Sequence, residues 1–287
     1  MAKIILSSDS TSDLSKELIE KLGLKIIPLF VNVEGKEYRD GVDITPDDLY
    51  ASVERTGILP KTSALSIGEY INYFADIREN EEDIILHFSI SSGFSSTYNN
   101  SVMAIEVDDI KNVYTVDSRN LSTGSGLQIL YAYDLIQQGL GIEEIIERLN
   151  DYKERVDASF IIDKLDYLRK GGRCSAVAGL VASMLSLKPC IEVKEGKMDV
   201  GKKYRGSFDK VLGQYIRDKF ANPEDLETEN VFVTHAGVDQ AIVDLVVEKV
   251  KSYNIFKNVY VTRAGATVSS HCGRNTLGIL FARKTNK

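Results

Sequence analysis

The chain has 287 residues, a formal net charge of −7 at pH 7 and a sequence pI near 5.2. This acidic balance, without any basic stripe, argues against an electrostatic grip on nucleic acid or on an anionic membrane surface. With 43% hydrophobic and 27% charged residues, the composition is that of a soluble globular protein with room for one large or two ordinary domains.

The sequence predicts a cytoplasmic protein. Its first ten residues lack the apolar core of a secretory signal, and the longest apolar run, 176–187, is shorter than the ~20 residues that span a bilayer. The three cysteines, Cys174, Cys190 and Cys272, are odd in number and scattered, which favours a reducing compartment.

The chain begins with the strand, loop and helix pattern of an α/β domain. Residues 3–6 are strand-like, residues 7–13 are predicted to be a loop rich in helix-capping side chains, and the following helix is predicted to end at Gly23. Because this loop follows the carboxyl end of a strand, we expect it to face the same crevice as other such loops.

Two helix starts flank residues 60–66, which carry Thr62 and Ser63. The first is the Thr-Pro-Asp-Asp sequence at 45–48, and the second is a capping box that begins at Ser66. The intervening stretch reads as an extended loop. Thr62 and Ser63 are therefore predicted to lie outside regular secondary structure.

A central apolar run, 84–88, is followed by a loop at 91–97 with five hydroxyl residues around one glycine. The run is typical of a strand covered on both faces. Since a helix follows, the loop can hold a carboxylate or phosphate, although its residues can equally be caps and turn formers. His87, inside the apolar run, is predicted to be a hydrogen-bonded core residue.

Strand and helix patterns alternate through the first half, which predicts a mainly parallel sheet. The pattern becomes charged near residue 155. There we place the boundary between an α/β domain, residues 1–155, and a smaller α+β domain, residues 156–287. In the second domain, small and aliphatic residues on nearly every side of 175–187 predict a buried helix.

The common catalytic and cofactor motifs do not match. Gly93 begins a sequence with threonine where a nucleophile elbow needs its second glycine, and the chain has no phosphate loop for ATP. Gly124 begins a sequence that lacks the third glycine of the dinucleotide fingerprint, and the three histidines show no zinc-ligand spacing. We expect neither a cofactor nor a metal.

Seven stretches, in order along nearly the whole chain, resemble the signatures of the DegV family of fatty-acid-binding proteins: SDSTSDL, PKTSALS, SSGFSSTYN, VDSRNLSTGSG, LDYLRKGGRCS, LKPCIEVKEGKM and HCGRNTLGI. The resemblance implies two α/β domains that enclose one long-chain fatty acid. It also implies the role of the acyl carrier, FakB, of bacterial fatty acid kinase. In that system a separate kinase subunit phosphorylates the carboxylate, and the acyl phosphate enters phospholipid synthesis.

The resemblance also implies a set of head-group residues. Thr62 and Ser63 match the hydroxyl pair of the TSQPS motif, Ser95 the serine of SGTYQ, Arg173 the arginine of KGGR and His271 the histidine of HxGPG. With the neighbouring serine, the predicted fatty-acid site comprises Thr62, Ser63, Ser95, Ser96, Arg173 and His271.

The chain departs from the family motifs at three places. Ala64-Leu65 replaces Gln-Pro, Ser96 replaces glycine, and Arg274-Asn275 replaces Pro-Gly. The hydroxyls, the arginine and the histidine of the site are retained. These departures therefore concern loop shape and partner docking more than carboxylate binding.

The chemistry of these residue types suits a buried carboxylate. Thr62, Ser63 and Ser95 can donate hydrogen bonds, and His271 can add one N–H or, when protonated, a charge. Each charge-assisted bond contributes roughly 1.5 to 3 kcal/mol, whereas about fourteen buried methylenes offer on the order of 11 kcal/mol. Together with the resemblance, this chemistry predicts a non-enzymatic carrier. The carrier recognises the head group of the fatty acid and retains its tail.

Five alternatives stay open. Ser95 and His271 could form a serine esterase or acyltransferase site, although no orienting acid is identifiable. Thr62 and Ser63 could be simple loop hydroxyls, and Arg173 a surface turn residue only. His271 could be a structural histidine, and the helix at 175–187 either core or a wall of the acyl tunnel. As loop residues outside the cores, Arg173 and His271 are expected to tolerate replacement by alanine without loss of the fold.

Overall fold

A computed structural model describes residues 3–178 and 187–285. Its strands are β1 Ile4–Asp9, β2 Lys25–Ile27, β3 Phe30–Val33, β4 Lys36–Arg39, β5 Lys61–Ser63, β6 Ile84–Ser89, β7 Val113–Asp117, β8 Val156–Ile162, β9 Leu187–Lys194, β10 Lys197–Arg205, β11 Leu226–Ala236, β12 Asn258–Arg263 and β13 Thr276–Arg283. Its α-helices are α1 Lys16–Leu22, α2 Pro46–Thr56, α3 Ile67–Ile77, α4 Thr97–Val107, α5 Thr123–Gln137, α6 Ile142–Arg155, α7 Asp166–Gly171, α8 Ser175–Ala178, α9 Phe208–Lys219, α10 Gln240–Ser252 and α11 Ala266–Cys272.

The first half is built on a four-stranded sheet in the order β2-β1-β6-β7, and all its pairings are parallel. Adjacent side chains of a strand point to opposite faces, so Ile85 packs toward α3 and α4 while Leu86 packs toward α1, α5 and α6. Both residues are fully buried. The predicted doubly covered parallel sheet is confirmed, and a small antiparallel sheet, β4-β3-β5, accompanies it.

The second half is built on a six-stranded sheet in the order β10-β9-β8-β13-β11-β12. Its pairings are antiparallel except for β11 with β12, as predicted for an α+β unit. Helices α9 and α10 cover one face, and α5 and α6 pack between the other face and the parallel sheet. The strands of this sheet span residues 156–283, whereas those of the other two span 4–117; the boundary at 155 itself stays a prediction.

Tertiary pairing changes the predicted local structure at two polar stretches. Ser7 and Ser8 continue strand β1 instead of starting a loop, because parallel partners flank them on both sides. The prediction that Thr62 and Ser63 lie outside regular structure is wrong, since both belong to β5. Thr62 pairs with Val31 of the antiparallel strand β3. Neither pairing leaves a local signal, because the partner strands are distant in sequence.

The predicted helix at 175–187 is described only in part. Its first residues form α8, while its last residue, Leu187, begins strand β9. The stretch between them, on which the tunnel-wall interpretation depends, lies outside the described residues. Ser175 itself is exposed.

His87 is a core residue, as predicted. Its ring is fully buried, and Nδ1 lies 2.8 Å from the Ser7 hydroxyl of the neighbouring strand. Burial lowers the pKa of His87 to about 3, so the ring is neutral. This histidine belongs to the packing of the first half.

Candidate functional site

Five of the six predicted site residues line one cavity between the two halves of the chain. These are Thr62, Ser63, Ser95, Arg173 and His271, and most of the remaining wall is apolar. Ser96 is exposed at the start of α4 and lies outside this wall. The site therefore combines residues up to 209 positions apart.

Thr62 reaches the cavity because β5 is an edge strand of the small antiparallel sheet. Its side chain is half-buried, whereas that of the adjacent Ser63 is exposed, as strand alternation requires. The Thr62 hydroxyl lies 2.8 Å from Nε2 of His271. One hydrogen bond thus joins the two halves of the molecule at the cavity.

The loop that carries Ser95 is held by the turn between β9 and β10. The Ser91 hydroxyl donates to the Gly196 carbonyl at 2.7 Å, and a side chain at Gly93 would collide with that same carbonyl. Ser95 Oγ lies 2.7 Å from Thr97 Oγ1 and accepts the Thr97 N–H at 3.2 Å. Glycine at 93 is therefore needed for close approach, and Ser95 is fixed at the base of α4.

Gly171 and Gly172, which precede Arg173, are each required for a different structural reason. A Cβ on Gly171 would lie 2.5 Å from His271 Nδ1, so only glycine leaves room for the imidazole. Gly172 has φ +69° and ends α7 in the left-handed conformation. Arg173 then donates through Nη1 to the Gly171 carbonyl at 2.8 Å and through Nε to the Phe94 carbonyl at 3.4 Å.

His271 lies on helix α11, and the prediction that it lies on a loop is wrong. Burial, and then the nearby charge of Arg173, lowers its pKa to about 4, so the ring is neutral at pH 7. Nδ1 is buried without a hydrogen-bond partner among the described residues. The geometry thus favours His271 as a neutral N–H donor. Like Arg173, which holds the serine loop, it is more than a surface residue.

The esterase alternative gains no support from this arrangement. Ser95 and His271 line the same cavity, but Ser95 is bonded to Thr97 and His271 to Thr62. In the hydrogen bonds of residues 3–178 and 187–285, no carboxylate contacts the His271 ring. A serine nucleophile needs a paired base with an orienting group, and this pairing is not formed.

A second, mainly apolar cavity adjoins the first. The two share Leu121, Phe160, Val268 and Cys272, and the second extends beneath the six-stranded sheet to Leu280. Its wall combines the two residues just before α5, residues of α11 and residues of three strands. The sequence did not predict this cavity, because no local pattern marks residues that meet only in the folded chain. Thr267, whose buried hydroxyl lines the first cavity and has no hydrogen-bond partner within residues 3–178 and 187–285, was not predicted for the same reason.

Two classes of site are not found in the described part of the chain. No group of three or more His, Cys, Asp or Glu side chains there could hold a metal ion. No described helix is both long enough and apolar enough to cross a membrane.

Comparisons with known proteins agree along the whole chain. The family described as "Uncharacterised protein, DegV family" matches residues 3–284. A DegV domain-containing protein of Staphylococcus aureus (strain COL) is 32% identical over 286 residues, which cover 99% of this chain and 100% of the relative.

Two solved structures are similar in fold. A DegV family protein of Thermus thermophilus, described by its fatty acid binding, matches with TM-score 0.90 and 27% identity over 98% of this chain and 100% of that chain. A stearic-acid-binding protein of Eubacterium ventriosum matches with TM-score 0.84 and 29% identity over 99% of each chain. Both similarities include the two halves that line the cavity.

Proposed function

Because this chain belongs to the DegV family, we propose that it binds one long-chain fatty acid and presents the carboxylate to a separate kinase subunit. The kinase converts the carboxylate into an acyl phosphate, which feeds phospholipid synthesis. In this role the chain is a FakB-like carrier without turnover of its own, and it works in the cytoplasm. Its two domains, residues 1–155 and 156–287, hold the ligand between them.

The observation that carries this proposal is the one-sided polarity of the cavity. Hydroxyls, an imidazole and a guanidinium lie at its mouth, whereas the adjoining cavity is mainly apolar. Such a cavity complements a ligand with one anionic end and a long apolar remainder. A nucleotide or a sugar phosphate carries polar groups along its whole length, and these would be left without partners in the inner cavity.

The head-group contacts follow from the hydrogen-bonding capacities of the mouth. His271 donates its Nε2–H to the Thr62 oxygen, so the Thr62 hydroxyl can donate to the carboxylate together with that of Ser95, while Arg173 supplies positive charge at the rim. Ser63, on the exposed side, donates to Glu37 at 3.4 Å and can reach the head group only by giving up that bond. Ser96 faces solvent, so in this proposal it shapes the loop without touching the lipid.

The acyl chain passes the four residues shared by both cavities and continues beneath the six-stranded sheet. About fourteen buried methylenes contribute on the order of 11 kcal/mol before the entropic costs of binding. The two structural relatives, one described by its fatty acid binding and one as a stearic-acid-binding protein, support a ligand of this class.

A reconstituted assay tests the carrier role. The purified chain with ATP and a long-chain fatty acid should hydrolyse no ATP and form no acyl phosphate. Addition of a fatty acid kinase subunit should produce acyl phosphate. Formation of acyl phosphate by the chain alone would contradict the proposal. Hydrolysis of a chromogenic acyl ester would also contradict it, if Ser95→Ala abolishes that hydrolysis.

A further inference from the structure

Helix α11 forms part of the cavity wall, yet its own sequence supports it poorly. It has seven residues, Ala266–Cys272, several of them β-branched or small and polar. Its N-cap is Gly265, which has no side chain to satisfy the first N–H groups. Such a short helix does not persist by itself, so its position must be set by contacts from elsewhere in the chain.

Two buried carboxylates of the first half supply those contacts. Asp13 Oδ1 accepts the Gly265 N–H at 2.8 Å, and Asp40 accepts the next two N–H groups at 2.7 and 3.1 Å. Asp13 and Asp40 are 6% and 3% exposed. The first turn of α11 is therefore capped by side chains that lie 226 to 252 positions earlier in the chain.

Neighbouring residues hold the side chains of Asp13 and Asp40 at the start of α11. The Ser10 hydroxyl donates to Asp40 at 2.9 Å, and the Ser122 hydroxyl donates to Asp13. A Cβ at Gly265 would lie 3.1 Å from Asp40 Oδ1 and 3.3 Å from Asp13 Oδ1. Glycine thus lets both acids approach the helix start, where their oxygens accept N–H groups that the helix itself leaves unpaired.

The first turn of α11, which Asp13 and Asp40 cap, lies directly before the turn that carries His271. Thr267, whose N–H donates to Asp40, and His271 are four positions apart, which is about 6 Å along the helix axis. We propose that Asp40, together with Asp13, is a positioning residue that fixes His271 against Thr62. The expected effect on lipid binding rests on the proposed function. The placement of the His271 ring is independent of that function.

The test compares Asp40→Asn with Asp83→Asn. The asparagine keeps the shape, but its amide nitrogen cannot accept an N–H bond. Asp83 is a matched control: it is 3% exposed and accepts backbone N–H groups, but it lies at the amino end of β6, about 20 Å of strand from the cavity end. Both variants should lower the melting temperature.

The discriminating measurement is the titration of His271 by NMR in ligand-free protein. In Asp40→Asn the His271 pKa should rise by about one unit or more, because a displaced ring is better solvated and moves relative to Arg173, the charged group that faces it. His87 should be unchanged. The affinity for palmitate should fall about tenfold. In Asp83→Asn both His271 and palmitate binding should stay as in the wild type.

An unchanged His271 titration in a destabilised but folded Asp40→Asn protein would overturn the proposal. If that variant does not fold, Ser10→Ala removes one bond to Asp40 and should shift His271 in the same direction by a smaller amount. A shifted His271 in a protein that binds no fatty acid would refute the proposed function and leave the positioning role standing.

Discussion

The two ends of the cavity are built in different ways. The mouth takes Thr62, Ser95, Arg173 and His271 from a short edge strand, a loop, a turn and a seven-residue helix. The inner end is lined mainly by strands of the six-stranded sheet, with buried apolar side chains such as Leu280. A few directed hydrogen bonds can recognise a head group, whereas a large apolar area retains the tail.

The largest expected effect comes from closing the passage between the two ends. Val268 lines both cavities, so Val268→Trp should fill the space that the acyl chain needs and weaken palmitate binding by more than about 100-fold. Titration calorimetry measures the change. Val107→Trp, at a site 70% exposed, is the matched control and should bind normally. Unchanged binding in Val268→Trp would exclude this route for the chain.

Removal of one head-group donor should have a smaller effect. Thr62→Val preserves shape but removes the hydroxyl and leaves His271 Nε2 without its partner. The affinity for palmitate should fall roughly tenfold, with little change for the uncharged methyl ester. Thr228→Val, at an exposed position, is the control. Equal losses for the acid and the ester would show that Thr62 acts on packing alone.

Arg173→Ala should change binding only a few-fold, because its guanidinium lies at the exposed rim. Its diagnostic effect is on His271, whose pKa is lowered first by burial and second by Arg173. The pKa of His271 should therefore rise from about 4 in this variant and stay low in Arg173→Lys, as NMR titration can measure. An unchanged pKa would mean that the guanidinium does not face the ring.

A prediction of a different kind concerns stability in acid. The folded-state pKa of His271 is about 4, below its unfolded value near 6.5. As the pH falls from about 6.5 to about 4, His271 becomes protonated in the unfolded chain but not in the folded protein. The free energy of unfolding therefore decreases. His271→Gln should remove roughly 2 kcal/mol of this loss at pH 4.5. Urea titrations at pH 7 and 4.5 measure the difference, and equal losses in both proteins would contradict the assigned burial.

The long periodic elements could be predicted from sequence, and the meeting of distant residues could not. The parallel sheet follows from apolar runs such as 84–88, and the helix after Ser66 follows from its capping box. Helix α11 has no comparable signal, because its caps, Asp13 and Asp40, come from the other half of the chain. The inner cavity is likewise a product of packing.

Five head-group residues could be named through family resemblance, since each lies in a recognisable motif. Their hydrogen-bond partners were not predictable. The Thr62 to His271 bond depends on β5 pairing with β3 and on the space that Gly171 leaves for the imidazole. From sequence, His271→Ala was expected to leave the fold intact. The structure instead predicts a loss of stability, because this ring is largely buried on a helix and its removal leaves a cavity.

Mass analysis of the purified protein tests the central claim most directly. A mainly apolar cavity between the two halves should release a long-chain fatty acid slowly, so the ligand should survive aqueous purification. Native mass spectrometry should show the chain plus one fatty acid, and organic extraction should identify that acid. Absence of lipid together with no uptake of added long-chain fatty acid, or recovery of a nucleotide or sugar phosphate instead, would contradict the account.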